Sequence, residues 1–448
     1  MATIVKDDNT TKHNKQKTIQ IMLDQSFSLK NFRRLISFRD FGKYEMGKEE
    51  AEIITTLNEV VDKINKPDYT FTTLIQLEDD DNTIYSPSNI EDEFALRKLN
   101  DNLKRLYKFK QANRFLIIEQ IKSLLLEEVP MSIVKLDIKK FYETINKEKI
   151  YKKLIDEPLL SFQSKQILKN FFLLPETAAI NGLPRGINIS AALSEILMRD
   201  FDKKIAQQAG VYFYARYVDD IIIFTFQNPA EIAKKANDIL DFETGLKLNK
   251  QKTKIIQRKC RCIPICTCIG ICKCNSNCKC KYEASKLKFF EYLGYRFTFS
   301  DIAKHSNHLV ITLSKSKIKK IKTRIVLSFL DFIKTKDIDL LERRVAYLAS
   351  NFVVKRNKKQ ETLNAGIFYN YPHINEKGLI ELDNLTLFLR KIINSKNHSF
   401  GNKLNAQITP ANRLVLSKYS FKAGFTNRRV KYFTPMEINT IKKCWIYG

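Results

Sequence analysis

The segment Val211–Phe226, with the sequence VYFYARYVDDIIIFTF, constrains the fold more than any other part of the chain. Two runs of aromatic and β-branched residues flank Asp219 and Asp220, which predicts a β-hairpin with both acids at its turn. An Asp-Asp pair alone is usually a solvated turn. Between two apolar strands, however, the two carboxylates repel each other at a cost, and divalent cations would resolve that cost.

Two further segments supply parts of the same candidate site. Ser132–Tyr142 (SIVKLDIKKFY) predicts a short strand with Asp137 near its end. Gly182–Asp202 predicts a loop constrained by glycine and proline, followed by a helix. The apolar residues of that helix recur at helical spacing, at Ile189, Leu193, Ile196 and Leu197.

Three carboxylates brought together in this way suit magnesium. Two Mg²⁺ ions about 3.5–4 Å apart can bind an attacking 3′-oxygen, a leaving phosphate and carboxylate groups together. Mg²⁺ is held by one or two carboxylates and completes its shell with phosphate oxygens and water. We therefore predict that Asp137, Asp219 and Asp220 are catalytic residues and ligands of two Mg²⁺ ions.

The charge of the chain indicates a polyanionic partner. Its 448 residues include 77 Lys and Arg against 49 Asp and Glu, a net charge of +28. Such an excess attracts nucleic acid, with an anionic membrane surface as the rival. No apolar run reaches the roughly 20 residues that span a bilayer, and the N-terminus has no apolar signal region. We expect a cytoplasmic protein that does not contact a membrane.

At these positions the chain resembles a reverse transcriptase. Five motifs of that family occur in order: the first palm acid at Asp137, the LPxG loop at Leu183–Gly186, the YxDD box at Tyr217–Asp220, the lysine motif at Gly245–Lys254 with Lys252, and the primer grip at Phe290–Phe297 with Tyr292, Leu293 and Gly294. The resemblance implies an RNA-directed DNA polymerase that takes an RNA template and dNTPs and makes DNA.

The resemblance also implies an α+β right-hand polymerase with fingers, palm and thumb. Helical N- and C-terminal regions and a Cys-rich insertion would be added to that core. The expected segments are an N-terminal extension over 1–45, fingers over 46–130 with 143–180, a palm over 131–259, a Cys-rich segment over 260–282, a primer-grip hairpin over 283–300, and a basic helical thumb and C-terminal region over 301–448.

The expected nucleotide-binding residues are Tyr142, Arg185, Gly186, Arg105, Arg114 and Lys252. Tyr142 lies five residues after Asp137, where reverse transcriptases place the aromatic residue that contacts the sugar edge. A bulky ring there clashes with a ribose 2′-hydroxyl and admits 2′-deoxyribose, although Tyr142 could instead be a core aromatic. Arg105 and Arg114 precede the first acid and would hold the triphosphate, although such basic clusters are more often solvated faces.

Arg185 departs from the family pattern, in which Gln usually stands third in the LPxG loop. Its forked guanidinium could bind a nucleotide phosphate, a template phosphate or an acidic side chain. With the NISAALSE that follows, the loop resembles those of prokaryotic defence-associated and abortive-infection reverse transcriptases. Together with the C-terminal tail, it is similar to one component of the type-three antiphage systems, in which two reverse transcriptases act with a small non-coding RNA. A second reverse transcriptase or a homo-oligomer is then an expected partner.

Two other functions remain open from the sequence. The first is template-independent or protein-primed DNA synthesis, as in some abortive-infection relatives. The second is a non-catalytic RNA-binding scaffold of polymerase ancestry, against which the complete set of acids argues.

A ladder of cysteines predicts a second metal site. The C-x-C-x₃ spacing repeats with a period of six at Cys260, Cys262, Cys266, Cys268, Cys272, Cys274, Cys278 and Cys280. Thiolates grouped in this way are most typically ligands of a tetrahedral zinc ion. A multi-metal cluster, disulfides, free thiols and an iron–sulfur centre are the alternatives.

The remaining pattern is mainly helical. Residues 27–130 read as helices interrupted by an acidic loop at Glu78–Asp81, and basic amphipathic helices such as Ile318–Ile333 follow residue 300. Tyr419–Trp445 interleaves aromatic and basic residues. It could form a stacking platform for single-stranded RNA or a small aromatic core.

Overall fold

The computed structural model describes residues 23–47, 49–79, 82–109, 112–127, 129–259, 286–302, 308–356 and 362–445. The eight clustered cysteines, from Cys260 to Cys280, lie outside the described residues, so their assignment to zinc stays a prediction. The described part of the chain mixes helices and strands throughout.

Helices precede, interrupt and follow the strands. The first group is α1 (Leu29–Leu35), α2 (Phe38–Lys43), α3 (Glu50–Ile64), α4 (Ile90–Tyr107) and α5 (Arg114–Leu126). The second is α6 (Phe141–Thr144), α7 (Lys147–Asp156), α8 (Phe162–Leu173), α9 (Pro175–Ala179), α10 (Asn188–Ala206) and α11 (Pro229–Thr244). The third is α12 (Lys315–Thr335), α13 (Ile338–Ala349), α14 (Ile380–Ile393), α15 (His398–Gln407), α16 (Pro410–Ser417), α17 (Phe421–Thr426) and α18 (Pro435–Lys442), with 3₁₀ helices at Glu376–Leu379 and Lys443–Trp445.

The strands form several small sheets. The strands are β1 (Leu74–Asp79), β2 (Asn82–Pro87), β3 (Met131–Asp137), β4 (Val211–Tyr217), β5 (Asp220–Thr225), β6 (Lys254–Arg258), β7 (Leu287–Tyr292), β8 (Tyr295–Ser300), β9 (Val310–Leu313), β10 (Asn351–Arg356), β11 (Thr362–Gly366) and β12 (Val430–Lys431). The central sheet has the order β4-β5-β3-β6 and is antiparallel throughout. The others are β1-β2, β7-β8-β9 and β11-β10-β12.

Both faces of the central sheet are covered, by different parts of the chain. Successive side chains of a strand point to opposite faces, so β3 sends Val134 and Leu136 to one face and Ile133 to the other. The first face packs in a core shared with α10 and α11. The second packs in a core shared with α5, β7, β8 and the C-terminal helices. Strand β3 therefore contributes side chains to both cores.

The stretch before the central sheet contains a hairpin that the helical interpretation of residues 27–130 missed. Strands β1 and β2 pair antiparallel in a register that ends with Asp79 opposite Asn82. Glu78 and Asp79, which were expected to lie in an acidic loop, are the last residues of β1 instead, and residues 80 and 81 lie outside the described residues. The pattern was misread because charged residues at the tip hide the short β-rich runs Leu74–Leu77 and Thr83–Tyr85.

The aromatic residues of Tyr419–Trp445 mostly form a core rather than a platform. Phe421, Phe425, Phe433 and Trp445 are buried. Tyr347 of α13 lies 5.7 Å from the Trp445 ring and 5.8 Å from the Phe433 ring. These contacts decide between the two alternatives for this segment in favour of the small aromatic core.

No helix in the described ranges has the length and apolar character that crossing a bilayer requires.

Candidate active site

The register of the central sheet sets two of the predicted carboxylates opposite each other. Asp137 ends β3 and lies directly opposite Asp220, the first residue of β5. Directly opposed residues of an antiparallel pair project from the same face, with Cα atoms about 4.5–5.5 Å apart. Asp219 precedes Asp220 in the two-residue turn that joins β4 to β5. The hairpin prediction is confirmed, with Val218 and Asp219 as its turn residues.

The hairpin turn has an unusual backbone conformation. Val218 has a φ of +59°, and a β-branched residue in the left-handed region is disfavoured by steric clashes. Three successive carbonyls of the turn accept hydrogen bonds from outside it. The donors are Arg216 Nη1 to Val218 O at 3.0 Å, Ile138 N to Asp219 O at 3.1 Å, and Tyr292 Oη to Asp220 O at 3.1 Å. These bonds hold a conformation that the sequence of the turn does not favour.

Arg216 anchors the turn to helix α10. Its side chain is 4% exposed, and its guanidinium lies 2.7 Å from Glu195 Oε2 and 2.8 Å from Asp202 Oδ2. Tyr214 Oη donates to the same Asp202 at 2.6 Å. Burial opposes the charge of Arg216, but Asp202 and Glu195 hold its pKa well above the usual value. Sequence reasoning did not single out Arg216, although its place beside the YxDD box was a signal.

The electrostatics of the site favour cations. Burial raises the pKa of Asp219, and the charges of Asp220 and Asp137 raise it further. Burial likewise raises the pKa of Asp220, against the opposing effect of Lys135. Lys252 Nζ lies 3.1 Å from Asp137 Oδ1, and Lys135 Nζ lies 3.6 Å from Asp220 Oδ1. Two lysines thus place positive charge beside these acids, and the nucleotide-binding role of Lys252 stays a prediction.

The donor set suits Mg²⁺ in its chemistry. Within the described ranges, no three His, Cys, Asp or Glu side chains are grouped so that they could hold one metal ion. The carboxylates at the hairpin offer only oxygen ligands, which Mg²⁺ prefers, and their raised pKa values show how poorly the protein alone compensates their charge. A metal ion at Asp137 would compete with the Lys252 ammonium for the same carboxylate.

Tyr142 and Arg185 meet beside this site. The Arg185 guanidinium lies 5.7 Å from the Tyr142 ring centroid, and Arg185 Nε donates to Glu143 Oε1 at 2.5 Å. Of the three partners considered for Arg185, the structure contains the acidic side chain. Phe141 is buried in the core, whereas Tyr142 is half-buried. Glu143 is a residue that sequence reasoning missed.

Gly186 makes the LPxG loop fit against strand β2. Its φ is +90°, and a Cβ there would lie 2.6 Å from the carbonyl oxygen of Tyr85. Tyr85 N donates to Arg185 O at 2.7 Å. Glycine is required at this position both by the backbone conformation and by the close approach of the strand.

The β7–β8 hairpin lies within the segment over which a hairpin was expected. Leu293 and Gly294 form a two-residue turn with φ of +47° and +81°, as expected for a hairpin turn of the primed type. Tyr292 is 1% exposed, and its hydroxyl donates a hydrogen bond to Asp220 O beside the β4–β5 turn. The hairpin is therefore physically connected to the carboxylate site, and its role as a primer grip stays a prediction.

The two arginines expected at the triphosphate lie in different surroundings. Arg105 is on α4, 38% exposed, with Nη1 3.6 Å from Asp101 Oδ2. Arg114 starts α5, which packs with the β7–β8 hairpin rather than with α4. Its guanidinium donates to the main-chain carbonyls of Leu293 and Asn370. The triphosphate contact of both arginines stays a prediction.

A groove of about 890 Å³ lies away from the carboxylates. It runs between α12, α14 and the sheet formed by β7, β8 and β9. Its lining includes Ile318, Leu327 and Phe388, and Lys315 and Lys319 stand among these apolar residues. The groove shares no residue with the candidate site.

The carboxylates at the β4–β5 turn, the glycine-bearing loop and the adjacent lysines make up the candidate site. Residues 80–297 match the model of the family described as reverse transcriptase (RNA-dependent DNA polymerase). The matched segment includes all three predicted carboxylates, Asp137, Asp219 and Asp220.

Solved structures with some similarity are telomerases. One, from Candida albicans in complex with a fragment of telomeric RNA, shares 12% identity over 84% of this chain and 63% of that chain, with a TM-score of 0.36. Another, apo telomerase from Candida tropicalis truncated from its C-terminal domain, shares 12% identity over 56% of each chain, with a TM-score of 0.35. The chain spans less than two thirds of the length of either. No curated protein matches the sequence.

Proposed function

We propose that this protein copies RNA into DNA by two-metal nucleotidyl transfer at the hairpin site. The observation that carries the proposal is the register that sets Asp137 opposite Asp220, next to Asp219, inside the reverse transcriptase domain. Asp137, Asp219 and Asp220 would hold Mg²⁺, which would activate the 3′-oxygen of the primer and stabilise the charge on the transferred phosphate.

The protein's own groups supply orientation around those metals. The three hydrogen bonds to Val218, Asp219 and Asp220 fix the backbone that carries two of the carboxylates. Fixing a ligand before the reaction lowers the cost of reaching the transition state. The β7–β8 hairpin packs on the face of the central sheet to which Ile133 points. From there it would support the primer strand. For the fingers, palm and thumb we propose the same segments that the sequence analysis gives.

A templated-synthesis assay tests the proposal. Purified protein is incubated with each dNTP singly and with all four, with and without RNase pretreatment. Incorporation that requires the complementary dNTPs and is lost after RNase supports RNA-directed synthesis. Incorporation that survives RNase and stays bound to the protein supports protein-primed synthesis instead, and no incorporation at all supports an RNA-binding scaffold.

Tyr142 is proposed to select the sugar. Replacing it with alanine should relax discrimination against rNTPs by at least about tenfold, which corresponds to about 1.4 kcal/mol in the transition state. The physical reason is that the half-buried ring would no longer occupy the space needed by a 2′-hydroxyl. The measurement is the ratio of kcat/KM for a dNTP to that for the matching rNTP.

A ring-preserving variant is the matched control for Tyr142. Tyr142→Phe keeps the ring and loses only the hydroxyl, so its discrimination should stay within about twofold of wild type, or about 0.4 kcal/mol. A Tyr142→Ala enzyme with wild-type selectivity would place the selection elsewhere.

We further propose an antiphage role with an associated non-coding RNA. The Arg185 loop and the C-terminal region, which resemble defence-associated reverse transcriptases, support this role, and the net charge of +28 supports a bound RNA. A second reverse transcriptase or another copy of this chain is the proposed partner. The tests are the sequence of RNA that co-purifies with the protein, and phage plating on cells carrying wild-type or Asp219→Asn protein. Equal plating on both would reject the antiphage role.

A further inference from the structure

We propose that Arg114 is a positioning residue for the primer strand, acting through the β7–β8 turn rather than on the incoming nucleotide. This inference rests on the proposed function. It differs from the sequence expectation, which placed Arg114 at the triphosphate.

The Arg114 guanidinium is committed to main-chain carbonyls. Nε and Nη2 both donate to Leu293 O, at 3.1 and 2.8 Å, and Nη1 donates to Asn370 O at 2.6 Å. A guanidinium presents its donors in a fixed planar fork. The fork thus sets the position of the β7–β8 turn relative to α5 and to the loop around Asn370.

Aromatic rings hold the guanidinium in that orientation. The guanidinium carbon lies 5.1 Å from the ring centroids of both Tyr295 and Tyr371. The two rings are in turn 5.5 Å apart in an edge-to-face arrangement. Cation–π attraction within about 6 Å of a ring adds to the hydrogen bonds. Arg114 is therefore fixed in orientation as well as bonded.

The turn that Arg114 holds is joined to the catalytic turn. Tyr292, the residue before Leu293, donates its hydroxyl to Asp220 O at 3.1 Å. A Cβ on Gly294 would lie 3.2 Å from the Tyr371 ring and 3.3 Å from Lys317, so there is little room for the turn to move. A displacement at Leu293 would shift the support of the primer end relative to the carboxylates.

The charge around the turn suits a phosphate backbone. Burial lowers the pKa of Lys317, and the nearby cations Lys320, Arg114 and Arg324 lower it further. Cations crowded beside a hairpin turn attract the phosphates of a nucleic-acid strand, which fix its position without reading its sequence. The ligand class at this turn is therefore the phosphate backbone of the primer.

The test separates primer binding from nucleotide binding. With the full-length protein, Arg114→Lys should raise the KM for a primer–template duplex at least tenfold while the KM for dNTP stays within twofold of wild type. Lysine keeps the charge but cannot donate twice to Leu293 O while reaching Asn370 O. Fluorescence anisotropy with a labelled primer–template duplex should show the same weakening as an increase in Kd.

Two further variants serve as companion and control. Tyr371→Leu removes one ring and leaves the hydrogen bonds, so it should give a smaller increase in primer KM of the same kind. Arg413→Lys is the control, because Arg413 also donates to a main-chain carbonyl, that of Ile393, and to Asn405, away from the hairpin. Its KM values should match those of wild type.

Several outcomes would overturn the inference. An increase confined to the dNTP KM would restore the triphosphate contact. Unchanged primer KM and Kd in Arg114→Lys, with wild-type synthesis intact, would reject the positioning role alone. A wild-type protein that makes no DNA would instead reject the proposed function. If Arg114→Lys lowers thermal stability, the Kd of Tyr371→Leu decides between the outcomes.

Discussion

Replacing Asp219 with asparagine is expected to reduce nucleotide incorporation by about 10³-fold or more, a loss of at least about 4 kcal/mol in transition-state stabilisation. Asparagine keeps the shape of the side chain and removes the negative charge that a magnesium ion requires. The same loss is expected for Asp137→Asn and Asp220→Asn. The measurement is primer extension on an RNA template under conditions in which wild type is active.

The variants must still fold if the loss of incorporation is to be attributed to the chemical step. Burial and the neighbouring carboxylates raise the pKa of Asp219, so its charge is a cost to the folded state. Asp219→Asn should therefore unfold at the same temperature as wild type or higher. Asp241→Asn is the matched control, since Asp241 is 45% exposed and pairs with Lys247. Wild-type incorporation by any of the three site variants would refute the site assignment.

Replacing Arg216 with methionine is expected to cost about 3–5 kcal/mol of folding free energy. Methionine fills much of the volume but leaves Glu195 and Asp202, which are 18% and 29% exposed, without their buried partner. The hydrogen bond to Val218 O is lost as well. The measurement is the free energy of unfolding by urea, with incorporation measured alongside it.

Compensating substitutions separate the effect of the Arg216 charge on stability from the effect of its packing. The triple variant Arg216→Met with Glu195→Gln and Asp202→Asn removes all three charges and should recover much of the lost stability. It should not recover full incorporation, because Val218 O still lacks its donor. Arg199→Met is the control, as Arg199 is 47% exposed and should change stability by less than about 1 kcal/mol. A single Arg216→Met variant as stable as wild type would show that the ion pairs contribute little.

The main features of the candidate site were predictable because they follow local patterns. The alternation of apolar residues around Asp219 and Asp220 specified a hairpin, and the structure has one. The spacing in α10 specified a helix with its apolar residues, such as Leu193 and Ile196, buried. The resemblance of Phe290–Phe297 to a primer grip implied the second hairpin, and the structure has a hairpin there.

The sequence did not show which distant residues surround a given side chain. The observed partners of Arg114, Leu293 and Asn370, are 179 and 256 residues away in sequence, and its triphosphate contact stays a prediction. The β1–β2 hairpin was missed because acidic residues at its tip conceal its short strands. The aromatic residues near the C-terminus gave no sign of whether they were buried.

The sequence by itself indicated the strands around Asp219 and Asp220, the order of the motifs and the three candidate carboxylates, while the family resemblance implied the β7–β8 hairpin. The strand pattern depends on side-chain periodicity, which acts over a few residues. Only the tertiary structure decided that Arg216, Ile138 and Tyr292 donate hydrogen bonds to the carbonyls of Val218, Asp219 and Asp220, and that Arg185 pairs with Glu143. The physical reason is that a donor meets its acceptor only after distant strands and helices have packed. No local sequence pattern specifies which of these distant residues will come into contact.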